Sequence, residues 1–149
     1  MTQHSLADLL AESSIVLDAT AVDRDDAIAQ AGAALLAVGA VDADYTAAML
    51  ERERNISTFV GEGVAVPHGT LAAEDAVTRN ALVLLRFTTP IDWNGNDVHV
   101  VIGLAARGRG HIGLLSRLAG LLLEPERAKA LREATNTEEI YRVFELAAE

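Results

Sequence analysis

The chain has 149 residues, half of them hydrophobic, with no cysteine and a formal net charge of −10. The missing thiols exclude disulfides, thiolate nucleophiles and zinc–cysteine centres. The lack of any Lys/Arg block argues against nucleic acid or an anionic membrane surface as partner, because both demand clustered cations. The length suits one domain, residues 1–149, and the acidic balance would steer a basic partner protein.

The start, Met1-Thr2-Gln3-His4-Ser5-Leu6, has no cationic segment ahead of a long apolar run, and no stretch approaches the roughly 18 apolar residues of a membrane span. The expectation is a cytoplasmic protein with no direct membrane insertion. Residues 14–17 are a short apolar run and a candidate first strand. Asp23 then stands as N-cap before Asp25 and Asp26, and Ile28, Ala31, Leu35 and Val38 recur at helical spacing until Gly39. A second helix is expected over 42–54, with Tyr45, Met49 and Leu50 on one side.

Val64-Ala65-Val66 reads as a short strand stopped by Pro67. Residues 81–85 form a buried strand, and the near-continuous apolar run 98–105 predicts a strand covered on both faces. Between them, residues 90–97, with Asn94-Gly95-Asn96, read as a turn or loop; Trp93 within it is either an exposed aromatic or a lid on the core. Gly108-Arg109-Gly110 leads into a leucine-rich helix over 111–122, and Pro125 opens a helix to 133. Thr135 to Glu138 has capping-box spacing, and Ile140, Val143, Phe144 and Ala147 form the stripe of a last helix. Three or four strands interleaved with about five helices imply an α/β (α+β) fold: a mixed β-sheet flanked by helices.

His68 is the first candidate for chemistry. Pro67 restricts the backbone before it, and Gly69 is expected to leave room beside the imidazole. A neutral imidazole is a good nucleophile toward a phosphoryl group, provided its second nitrogen finds an acceptor that fixes the tautomer. On spacing alone, a turn histidine without chemistry is an equal reading. His111 follows a glycine-rich turn at the start of a helix, where N–H groups and the dipole favour an oxyanion; a polar residue at a helix start is its plain alternative. Arg52 offers a guanidinium fork for phosphate, or a solvated ion pair on a helix, the latter being the stronger reading for Arg54. Thr70 offers a hydroxyl donor or a cap for a following turn. A metal site from His68, His111 and an acid such as Glu62 or Asp97 lacks any HxxxH or HExxH spacing. His4 falls in the terminus and His99 within a strand.

Three segments carry a resemblance: Gly61-Glu62-Gly63-Val64-Ala65-Val66-Pro67-His68-Gly69-Thr70, then Val101-Ile102-Gly103-Leu104-Ala105-Ala106 through His111-Ile112, and Met49-Leu50-Glu51-Arg52-Glu53. In these the chain resembles the enzyme IIA domain of the mannitol–fructose class of the bacterial phosphoenolpyruvate-dependent sugar phosphotransferase system. The resemblance spans nearly the whole chain, and Gly69-Thr70 is similar to the mannitol branch. It implies that His68 takes a phosphoryl group, on its tele nitrogen, from the histidine phosphocarrier protein and passes it to the cysteine of a IIB domain. It implies that His111 stabilises that group and that Arg52 helps bind it. No cofactor or metal is implied, and the expected protein is a free-standing IIA component whose partners meet an exposed, partly apolar surface around His68. A regulatory phosphoprotein of the nitrogen type and a metal-dependent hydrolase are the alternatives.

Overall fold

Strands β1 (Leu10–Ala19), β2 (Phe59–Gly61), β3 (Val64–Ala65), β4 (Ala81–Trp93) and β5 (Asn96–Ala105) form one sheet in the order β1-β4-β5-β3-β2. A computed structural model describes residues 6–107 and 110–146. Among them lie helices α1 (Arg24–Ala37), α2 (Tyr45–Asn55), α3 (Gly110–Leu122), α4 (Pro125–Glu133) and α5 (Thr137–Leu146). The pairs β1/β4 and β3/β5 are parallel, whereas β4/β5 and β2/β3 are antiparallel, so the sheet is mixed as expected.

Successive strand residues face opposite sides, and both sides are covered. Leu82, Leu84, Val100, Ile102 and Leu104 pack with residues of α3, α4 and α5, among them Leu118, Leu131 and Phe144. Their neighbours Val83, Leu85 and Val101 pack with Ile28, Ala31 and Leu35 of α1 and Met49 of α2. Two-sided cover is why residues 81–85 and 98–105 are apolar runs rather than alternations. No helix among the described residues is long and apolar enough to cross a membrane.

Several boundaries differ from the sequence expectation. The first strand extends over Leu10–Ala19, and β2 was not expected at all; its three residues, half-exposed or exposed, carry no readable alternation. Most of residues 90–97 belongs to the long hairpin of β4 and β5 rather than to a loop. Only Asn94 and Gly95 form the turn, both at positive φ (55° and 92°), the geometry that a two-residue hairpin demands. Trp93, the last residue of β4, is fully buried. Asp23 caps α1 as expected, its side chain accepting from Asp26 N–H at 2.8 Å. The last cap is shifted by one residue: Asn136 accepts from Glu139 N–H at 2.9 Å, and the Glu139 carboxylate reaches back to Thr135 N–H at 2.8 Å. Ala147, the end of the predicted stripe, lies outside the described residues, as does His4.

Arg86 on β4 ties the sheet to α4. Its Nε and Nη2 donate to Leu17 O at 3.2 and 3.1 Å, and Nη1 donates to Arg132 O at 3.3 Å and to Ala134 O. A cation suits these carbonyls at the helix C-terminus. Arg86→Met should therefore lower the unfolding free energy by about 2–3 kcal/mol, the scale of charged hydrogen bonds lost from a half-buried site. Urea denaturation checks this; an unchanged midpoint would contradict it.

Candidate functional site

Where β3 ends, the chain stays beside β5. Leu104 N–H donates to Pro67 O at 3.0 Å, and His68 forms a parallel bridge with Leu104. This sets the histidine at the C-terminal end of β5, the kind of sheet edge where α/β ligand sites form. Pro67 has no N–H to give, but its carbonyl makes the contact that places the next residue. The bridge partner Leu104 is seven positions before His111, which stands in the first turn of α3. The topology thus brings the backbone of both candidate histidines to one end of β5. The side chain of His111, and residues Gly108 and Arg109 ahead of it, lie outside the described residues.

The His68 ring is oriented by its own backbone. Nδ1 lies 2.8 Å from the carbonyl oxygen of Val66. A carbonyl can only accept, so in the neutral ring Nδ1 carries the proton and Nε2 carries the lone pair. That is the tautomer required for chemistry at the tele nitrogen. The residue is 3% exposed: whereas an exposed surface was expected around His68, the histidine itself is buried where it bridges Leu104.

The residue after it is held by α2. The Tyr45 hydroxyl accepts from Gly69 N–H at 2.9 Å and donates to Leu104 O at 2.8 Å. A Cβ at position 69 would come within 2.5 Å of the Tyr45 ring. Gly69 therefore makes room for Tyr45, not for the imidazole as the sequence suggested. Because Gly69 N–H is already engaged, it is not the backbone donor for an anion. Thr70 contributes a carbonyl that accepts from Ala73 N–H at 3.1 Å and opens the turn Leu71–Ala76.

Arg52 lies seven residues beyond Tyr45 on the same face of α2, about 10 Å along the axis. Its Nη1 donates to Ile56 O at 2.5 Å, closing the C-terminus of its own helix. The guanidinium is half-buried, while Arg54 is exposed. Glu62 places its carbonyl 2.6 Å from Arg132 Nη1 and its carboxylate 4.0 Å from the same atom. Among the described residues no group of three or more His, Asp or Glu side chains is placed to hold a metal ion.

Sequence reasoning missed Glu53. It is 3% exposed and accepts from Thr58 N–H at 3.0 Å, from the Thr58 hydroxyl and from Trp93 Nε1 at 3.0 Å. Thr58 O in turn accepts from Val66 N–H at 2.9 Å. The available signal was its spacing: Glu53 falls four residues after Met49, on the buried stripe of α2.

Burial raises the Tyr45 pKa above its ordinary value of 10.0, with the Gly69 hydrogen bond opposing in part. The hydroxyl stays neutral, as its donor role demands. A folded pKa above the unfolded one gives stability that is complete below about pH 10 and is lost as pH rises through the folded value. Tyr141, raised by burial and by Glu12, adds to the same alkaline loss. Melting curves from pH 8 to pH 11 or so should show that loss in the parent chain and a smaller one in Tyr45→Phe. An identical alkaline slope in both would contradict the assignment.

A family model described as the phosphoenolpyruvate-dependent sugar phosphotransferase system, EIIA 2, matches residues 8–146. The mannitol-specific phosphotransferase enzyme IIA component of Staphylococcus aureus (strain N315) is 39% identical over 142 residues, 95% of this chain and 99% of that protein. The chain's fold superimposes on enzyme IIA of mannitol from Escherichia coli, in its complex with phosphorylated enzyme IIB, with a TM-score of 0.85 and 30% identity, covering 92% of this chain and 99% of that one. The crystal structure of IIA mannitol from Escherichia coli gives 0.83 and 31%, covering 90% and 97%.

Proposed function

Since the chain belongs to the EIIA 2 family of the phosphoenolpyruvate-dependent sugar phosphotransferase system, among mannitol-type enzyme IIA components, we propose that it relays a phosphoryl group through His68. The donor is the phosphorylated histidine phosphocarrier protein. The acceptor is the cysteine of a mannitol-type IIB domain, and the whole chain acts as one IIA unit. The observation that carries this reading is the contact of His68 Nδ1 with Val66 O.

The Nε2 lone pair attacks phosphorus; a new N–P bond forms as the donor's N–P bond breaks, and the donor leaves as neutral imidazole. The ring gains positive character, which the Val66 carbonyl stabilises through Nδ1–H. In the second step a cysteine thiolate attacks phosphorus, the His68 N–P bond breaks and the lone pair returns to Nε2. Both steps need alignment and charge neutralisation more than covalent intermediates on other groups. His111, at the N-terminal turn of α3, donates to a phosphoryl oxygen, and Arg52 turns part of its fork toward the same group. Docking of either partner uncovers Nε2, and burial between transfers slows hydrolysis. The acidic chain favours encounter with a basic partner face.

Incubation with purified general phosphotransferase proteins and labelled phosphoenolpyruvate tests this. The parent chain should take up label and lose it to a mannitol-type IIB domain in preference to a fructose-type one. His68→Ala should take up none; normal labelling in that variant would sink the assignment. His111→Ala should accept label but pass it on at least about tenfold more slowly. Labelling at His68 with no transfer to any IIB domain would favour the regulatory reading.

A further inference from the structure

Two buried polar side chains of α2 grip the segments on either side of His68 and take no part in the relay above. Tyr45, 2% exposed, bonds through one oxygen to Gly69, the residue after the histidine, and to Leu104, its bridge partner. Glu53, 3% exposed, receives Thr58 N–H and the Thr58 hydroxyl, and Thr58 O receives Val66 N–H. Val66 O is the oxygen that orients the ring. One helix therefore holds both flanks, from points eight residues or about 12 Å apart.

A buried carboxylate is costly unless its oxygens are satisfied, and all three donors to Glu53 are neutral. A packed apolar side chain would fill the same space without that desolvation. What an apolar side chain would not do is fix the direction of Thr58 and, through it, of Val66. At position 45 phenylalanine would fill the same pocket, but only the tyrosine hydroxyl joins Gly69 to β5.

We propose that Tyr45 and Glu53 are positioning residues for phosphoryl transfer at His68, one setting the segment after the histidine and the other the segment before it. This rests on the relay reading of His68. Neither residue touches the phosphoryl group; both act through backbone that sets the distance between Nδ1 and Val66 O and hence the aim of Nε2.

The test uses Tyr45→Phe and Glu53→Gln in the full chain, with two measurements. The first is the steady-state rate of phosphorylation by the phosphorylated histidine phosphocarrier protein. The second is the nitrogen-15 NMR spectrum of the His68 imidazole with no donor present, which reports the tautomer. In each variant kcat should fall about tenfold or more while KM for the donor stays within about twofold, since small misalignments act on the chemical step. The His68 signals should shift toward a mixture of tautomers. Native kcat in both folded variants would overturn the proposal, whatever their melting temperatures. If Glu53→Gln does not fold, Tyr45→Phe, which keeps the ring in place, decides alone. A parent chain that takes no label overturns the relay reading, and the NMR arm still reads positioning; a labelled parent with native-like variants overturns only this proposal.

Discussion

The hydrogen bond of His68 Nδ1 to Val66 O, 2.8 Å long, decides which ring nitrogen carries the lone pair, and the surrounding structure can be understood as what keeps those two atoms together. They belong to residues two apart, separated by a proline that restricts Val66 to an extended backbone. Leu104 N–H on Pro67 O and Val66 N–H on Thr58 O hold it extended from opposite sides. Thr58 depends on Glu53, and the position of Leu104 depends on Tyr45 as well as on the β4/β5 ladder. The constraint at one imidazole thus reaches to α2 and to the centre of the sheet.

The sheet position explains why a short, two-residue strand can serve as the platform. β3 lies between β5 and β2, pairing parallel to the first and antiparallel to the second. Its side chains are buried among residues of both cores, Val64 on one face and Ala65 on the other. The histidine that follows inherits the rigidity of β5, whose residues 100–105 are all buried. Sites built on such elements are held more narrowly than sites on loops.

Much of the frame was legible in the residues. Asp23, Pro125 and the apolar runs at 81–85 and 98–105 mark caps and strands through local chemistry, and the structure agrees with each. Failures came where the deciding interaction is distant in sequence. The turn-like composition of 90–97 concealed a hairpin because Asn94-Gly95 is compatible with a loop or a tight turn, and only pairing of Trp93 with Asn96 selects the turn. Trp93 could not be assigned because its partner, Glu53, lies 40 residues away. For the same reason nothing in the sequence singled out Glu53. Pro67 and its neighbours mark His68 in the sequence as a candidate, but its burial was not legible, since that follows from the bridge to Leu104. Arg52 shows the helix-closing contact with Ile56, one of the roles a cation in a last turn commonly takes.

The central claim is that the backbone chooses Nε2 of His68 as the site of phosphoryl attachment. The direct measurement is the nitrogen-15 and phosphorus-31 NMR spectrum of the phosphorylated chain, reading phosphorus coupling to the imidazole nitrogens. The account predicts phosphorus on Nε2 of His68 with a proton retained on Nδ1. Phosphorus on Nδ1, or on any other residue, would contradict it.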